Sequence, residues 1–122
     1  SQYFGRSVPL VMGGQRVKFG FCSPVVIAHF SVLYPGRASA SMRDARARLF
    51  ELQQGKLIAG LGKAVLISAV PRDEEPTIGD KQRAYLADLK SELNQEAAST
   101  GIAYVPVHTA QEGADRLLAA AA

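Results

Sequence analysis

Chemistry-bearing residues gather in two short stretches of this chain. Arg72-Asp73-Glu74-Glu75-Pro76-Thr77 puts three carboxylates, a guanidinium and a hydroxyl within six residues, and His108-Thr109 adds an imidazole and a second hydroxyl. Carboxylates and a histidine near helix N-termini can hold a metal or take a phosphoryl group. His108 with one of Asp73, Glu74 or Glu75 would form an acid–base pair if the fold brought them within hydrogen-bond reach. A structural use of the same residues weighs more. Acids ahead of a helix offset its dipole, Thr77 and Thr109 can cap, and a position in a loop does not by itself make a site.

These residues are positioned by the stretch Lys63–Gly101 and by the strand and helix that follow it. Ala64-Val65-Leu66-Ile67-Ser68-Ala69-Val70 is almost continuously apolar, as a strand covered on both faces requires. A helix then starts at Thr77 or Asp80, either of which can serve as its N-cap. Leu86, Leu89, Leu93 and Ala97 form its core-facing stripe, and Gly101 ends it. Ile102–Val107 is a further strand. Thr109 with Glu112 makes a capping box for a last helix carrying Ala114, Leu117, Leu118 and Ala121.

The first half of the chain reads as strands. Ser1–Ser7 is a lead-in. Val8–Met12, the turn Gly13-Gly14-Gln15 and the alternating Arg16–Phe21 form a hairpin that Pro24 terminates. Val25–Tyr34 is rich in β-branched and aromatic residues, and Pro35-Gly36 closes it. Ser41 is the expected cap of a first helix, with Asp44 as its box partner. Ala45, Leu49 and Leu52 share one face, flanked by Met42 and Phe50. Gly55 is a candidate stop, although Leu57, Ile58 and Leu61 can prolong the helix to Gly62.

The expected fold is therefore α/β, in the order β-β-β-α-β-α-β-α. Its mixed sheet would hold N-terminal antiparallel strands and later parallel strands, with three helices packed on it. Residues 1–122 suit one domain, and excision from a longer protein is compatible with them. At 48% hydrophobic and 20% charged residues the composition is that of a globular chain. The single Cys22 cannot pair within the chain, which fits a reducing, cytoplasmic compartment. No apolar run approaches a membrane span.

The net charge of +3 permits an acidic partner without requiring one. Arg37, Arg43, Arg46 and Arg48 oppose the dipole at the start of the first helix. An acidic partner surface or a phosphate would explain them, although a solvated face is the commoner explanation. Lys18-Phe19-Gly20-Phe21 has the look of an RNA-stacking strand. Phe19 stands where such a motif has Gly, the element order is wrong, and alternating aromatics in a hairpin more often line a core on one face. Nucleic acid is accordingly not the expected partner. His29 has no second ligand at metal spacing and reads as a core residue. The glycines match no phosphate-binding or dinucleotide pattern.

The element order resembles that of STAS-like regulatory domains, including anti-sigma-factor antagonists, and Gly62–Val107 is similar to their strand, loop, helix and further strand. Pro76-Thr77, Gln82-Arg83 and Leu86 carry the similarity. In the antagonists a phosphorylated serine or threonine precedes the helix, in a motif of the type Asp-Ser/Thr-Ser/Thr-Gly. Glu75-Pro76-Thr77-Ile78-Gly79 is the matching region. The resemblance makes Thr77 the candidate phosphorylation site, but Pro76 stands where the motif has Asp, so partner docking carries over more directly than phosphorylation.

Together these observations lead to a non-enzymatic regulatory or protein-interaction module. Arg72, Asp73, Glu74, Glu75, Thr77 and Arg83 would bind another protein or domain. No catalytic residue, metal or cofactor is assigned. Two rival readings are a small α/β enzyme using His108 with Asp73–Glu75, and an assembly subunit in which the hairpin edge makes a homo-oligomer.

Overall fold

The computed structural model describes residues 2–9, 16–59 and 62–122. Among the described residues nine elements follow one another: β1 (Phe4–Pro9), β2 (Arg16–Cys22), β3 (Val26–Val32), a 3-10 turn (Pro35–Arg37), α1 (Ala38–Ala59), β4 (Lys63–Ala69), α2 (Asp80–Ser99), β5 (Ala103–Val107) and α3 (Ala110–Ala121). The five strands form one sheet in the order β1-β2-β3-β4-β5. β1, β2 and β3 pair antiparallel, and β3, β4 and β5 pair parallel. The expected α/β order and mixed sheet are thus observed.

The two crossovers step across the sheet in the same direction, and crossovers of one hand then place their helices on one face. Accordingly, Met42, Ala45, Leu49 and Leu52 of α1 and Leu86, Leu89, Leu93 and Ala97 of α2 share a core with Phe19, Ile27, Ala64 and Leu66 of the sheet. On the opposite face α3 inserts Leu117 among Phe21, Val26, Ala28, Val65, Ile67 and Val107. β4 lies between these layers, and this double coverage is why its sequence does not alternate.

Several local expectations are corrected. Phe4–Ser7 belong to β1 rather than to a lead-in, because Phe4 packs edge-on against Phe21 with ring centroids 4.9 Å apart. The expected turn Gly13-Gly14-Gln15 lies outside the described residues, as does Leu61. Ser41 does not start α1. The 3-10 turn opened by Pro35 runs directly into Ala38, and the Ser41 hydroxyl, inside the helix, accepts the Tyr34 amide at 3.3 Å. Phe50 is 61% exposed rather than flanking the core.

Gly55 does not end α1, which continues to Ala59. A Cβ at Gly55 would stand 2.8 Å from the Phe19 ring and 2.9 Å from Ile27, so glycine allows the helix to sit on the sheet. Gly101, with φ of +75°, does end α2 as expected.

Phe19 and Phe21 are both fully buried, but on opposite faces of the sheet. A Cβ at Gly20 would point at Phe30, on the face that Phe21 shares. The β1–β2 register is unbroken on either side of Gly20, from Phe4↔Phe21 to Arg6↔Phe19, so the rings change face without an inserted residue, beside Gly5 with its φ of +65°. This change of face corrects the expectation that the two rings share a face, and their burial removes them as base-stacking surfaces.

Candidate functional site

The parallel strands bring the β4–α2 loop and the start of α3 to their carboxyl ends, where α/β sheets present their ligand-binding loops. β4 is followed by Val70, whose amide donates to Val107 O at 2.8 Å, so the loop leaves the sheet from a fixed point. Two turns then follow back to back. Glu75 N donates to Arg72 O, and Ile78 N donates to Glu75 O, each at 3.1 Å. Ile78 is buried and anchors the far end of the loop.

Neither Thr77 nor Asp80 caps α2. Gly79 is the N-cap, and its amide donates to Gln82 Oε1 at 3.4 Å, the backward half of a capping box. Asp80 becomes the first helical residue, where its charge suits the dipole. Thr77 lies two residues before the cap, exposed, and its hydroxyl donates to Glu75 Oε1 at 3.2 Å.

Arg83 holds this loop in shape. Its Nε donates to Asp73 O, its Nη2 to Glu75 O at 3.4 Å, and its Nη1 to the Asp80 carboxylate at 3.0 Å. The guanidinium is therefore spent on the loop's own backbone. Arg72, Asp73, Glu74 and Thr77 remain exposed, and Glu75 is half-buried.

His108 takes a different direction. Its amide donates to Glu112 Oε1 at 3.1 Å, and its Nδ1 lies 3.3 Å from Val70 O. Thr109 caps α3 as expected, accepting the Glu112 amide at 3.1 Å. Among the described residues no ion pair joins His108 to Asp73, Glu74 or Glu75, and no three His, Cys, Asp or Glu side chains lie close enough to hold a metal. The loop offers carboxylates and a hydroxyl to a cationic or hydrogen-bonding surface.

A second polar cluster was not apparent from the sequence. His29 of β3 is only 3% exposed, and its Nε2 lies 3.1 Å from Glu51 Oε1 of α1. Glu51 Oε1 also accepts from Arg48 Nη1 at 2.9 Å, and Nε2 lacks the alignment of a hydrogen bond. Burial pushes the His29 pKa down to about 4. Arg48 adds to the shift, while Glu51 and Asp44 oppose it. The available signal was the spacing of Asp44, Arg48 and Glu51 on one helical face. That spacing does not say which strand residue they meet.

The arginines of α1 are partly spent within the molecule. Arg46 forks onto Glu92 at 2.8 Å and Glu96 at 3.0 Å, tying α1 to α2, and its pKa is raised by the bond to Glu96. Arg48 pairs with Asp44 and Glu51. Arg37 and Arg43 are in no ion pair among the described residues. No helix among the described residues is long and apolar enough to cross a membrane. Compared with known proteins, the chain matches no family model, no curated protein and no solved structure.

Proposed function

We propose that the protein is a non-enzymatic interaction module of STAS-like type that docks another protein through its β4–α2 loop. The observation that carries this reading is the use of Arg83. One side chain fixes two loop carbonyls and the first residue of α2, while Asp73 and Glu74 stay exposed. A loop ordered before binding spares the partner the cost of ordering it. The partner surface is cationic where it meets Asp73, Glu74 and Glu75. Thr77 is the regulated position. A phosphate on its hydroxyl would face the Glu75 carboxylate that this hydroxyl now contacts, and repulsion would loosen the turn.

The test is affinity capture with the wild-type chain and with Asp73→Lys/Glu74→Lys. Loss of the captured protein from the variant, with the fold intact by circular dichroism, supports the reading. Unchanged capture by the variant refutes it.

A further inference from the structure

α1 and α2 each join parallel strands, so they run in the same direction along one face of the sheet. A groove follows the line between them. Its first section, of about 520 Å³, is lined by Ser39, Met42, Arg43, Tyr85 and Leu89 among others. Its second, of about 290 Å³, is lined by Leu49, Phe50, Gln53, Ser99 and Thr100 among others. Arg46 borders both sections and reaches across between them to Glu92 and Glu96. Lys56 joins the helices at the far end, donating to Gly101 O at 2.8 Å.

The floor of the groove is core, since Met42, Leu49 and Leu89 are buried. The walls are apolar and open to solvent. Phe50 is 61% exposed, and Tyr85 is 47% exposed. Leu57, at 73%, stands two turns beyond Phe50 on the same side of α1. Large apolar side chains gathered in this way on a surface mark an interaction site.

Charge identifies the occupant. The lining carries Arg43 and Arg46 on the α1 wall and Glu92 and Glu96 on the α2 wall. Arg46 is engaged by both glutamates, whereas Arg43 is exposed and in no ion pair among the described residues. Glu92 meets Arg46 through Oε1 at 2.8 Å, and its side chain stays 52% exposed. A surface with a basic wall beside an acidic one is complementary to a copy of itself. A two-fold axis running along the groove lays α1 of each copy over α2 of the other. Arg43 then meets Glu92 across the contact, and each Phe50 enters the second section of the other copy's groove. An axis across the groove would set α1 on α1 and arginine against arginine, which like-charge repulsion opposes.

We propose that the α1–α2 face binds a second copy of this chain, in a symmetric dimer whose two-fold axis follows the groove. The proposal is independent of the β4–α2 loop reading.

Sedimentation velocity and light scattering over a concentration series read the mass of the chain in solution. The expected result is a reversible dimer at twice the monomer mass. Phe50→Ser weakens it at least about tenfold, as loss of a central aromatic contact does. The side chain is exposed in the single chain, so the variant keeps its fold, which circular dichroism checks. Arg43→Glu and Glu92→Lys each weaken the dimer when alone. An equimolar mixture of these two variants restores it, because the mixed dimer again sets opposite charges across both contacts. Asp73→Lys/Glu74→Lys dimerises as wild type does, which separates this face from the acidic loop. A monomer at millimolar concentration overturns the proposal. A dimer that Phe50→Ser leaves intact places the interface elsewhere on the chain and overturns it equally. A mixture no stronger than either charge variant alone removes the pairing of α1 with α2, and the proposal with it.

Discussion

Nε2 of His29 and Oε1 of Glu51 lie 3.1 Å apart across the β3–α1 contact, and the histidine stays neutral there because burial outweighs the carboxylate. Its pKa is lowered from 6.5 to about 4 in the folded chain. Below the ordinary histidine range the unfolded chain takes up this proton before the folded one does. Stability from this residue is therefore full above pH 6.5, falls as the pH drops toward 4 and levels off below that. The whole fall amounts to about 3 kcal/mol at most. Urea titrations of wild type and His29→Gln between neutral and acid pH check it. The difference between the two should shrink with acidification, and a parallel response would contradict the assignment.

Gly55 and Gly113 set the distance between helices and sheet. Replacing a helical glycine with alanine ordinarily stabilises by about 1 kcal/mol. At Gly55 the new methyl group would meet Phe19 and Ile27, and at Gly113 it would stand 2.7 Å from Ile67. Both alanine variants are expected to lose about 1–3 kcal/mol instead. Thermal denaturation gives the sign directly, and a rise in Tm at either position would show that the layers yield.

Arg83→Met should leave global stability within about 1 kcal/mol of wild type, since its bonds are largely exposed. Its effect is local. The Glu75 and Ile78 amides, which close the two loop turns, should exchange faster in the variant. Unaltered exchange at both would mean that the turns hold without the guanidinium.

Thr109→Ala removes the side-chain acceptor for the Glu112 amide. The expected loss is about 1 kcal/mol, read by urea denaturation, with Thr109→Ser restoring most of it. A failure of serine to rescue would point to the threonine methyl group rather than to the cap.

What the sequence revealed follows from the range of each signal. The Leu86–Leu89–Leu93–Ala97 stripe, the doubly covered strand β4 and the Thr109 cap are carried by residues close along the chain, and all three are observed. The start of α1 was misjudged because Ser41 has the chemistry of a cap, while Pro35 had already turned the chain into the helix. Phe19 packs in the cluster under α1 and α2 and Phe21 in the cluster under α3, a separation that alternation along β2 does not reveal. For the loop, the sequence identified the exposed acids. It could not reveal that Arg83 turns inward to hold Asp73 O and Glu75 O, because backbone acceptors leave no mark on residue type.

The sheet order β1-β2-β3-β4-β5 repeats the order of the strands along the chain. Each strand therefore finds its partner in the segment just before it, and no pairing waits for a distant part of the polypeptide. Loop-closure entropy is met in small instalments, which favours rapid folding for a sheet of this size. On a ribosome the same order lets the β1–β3 meander form before β4 has emerged, each later crossover adding one strand to a template already in place.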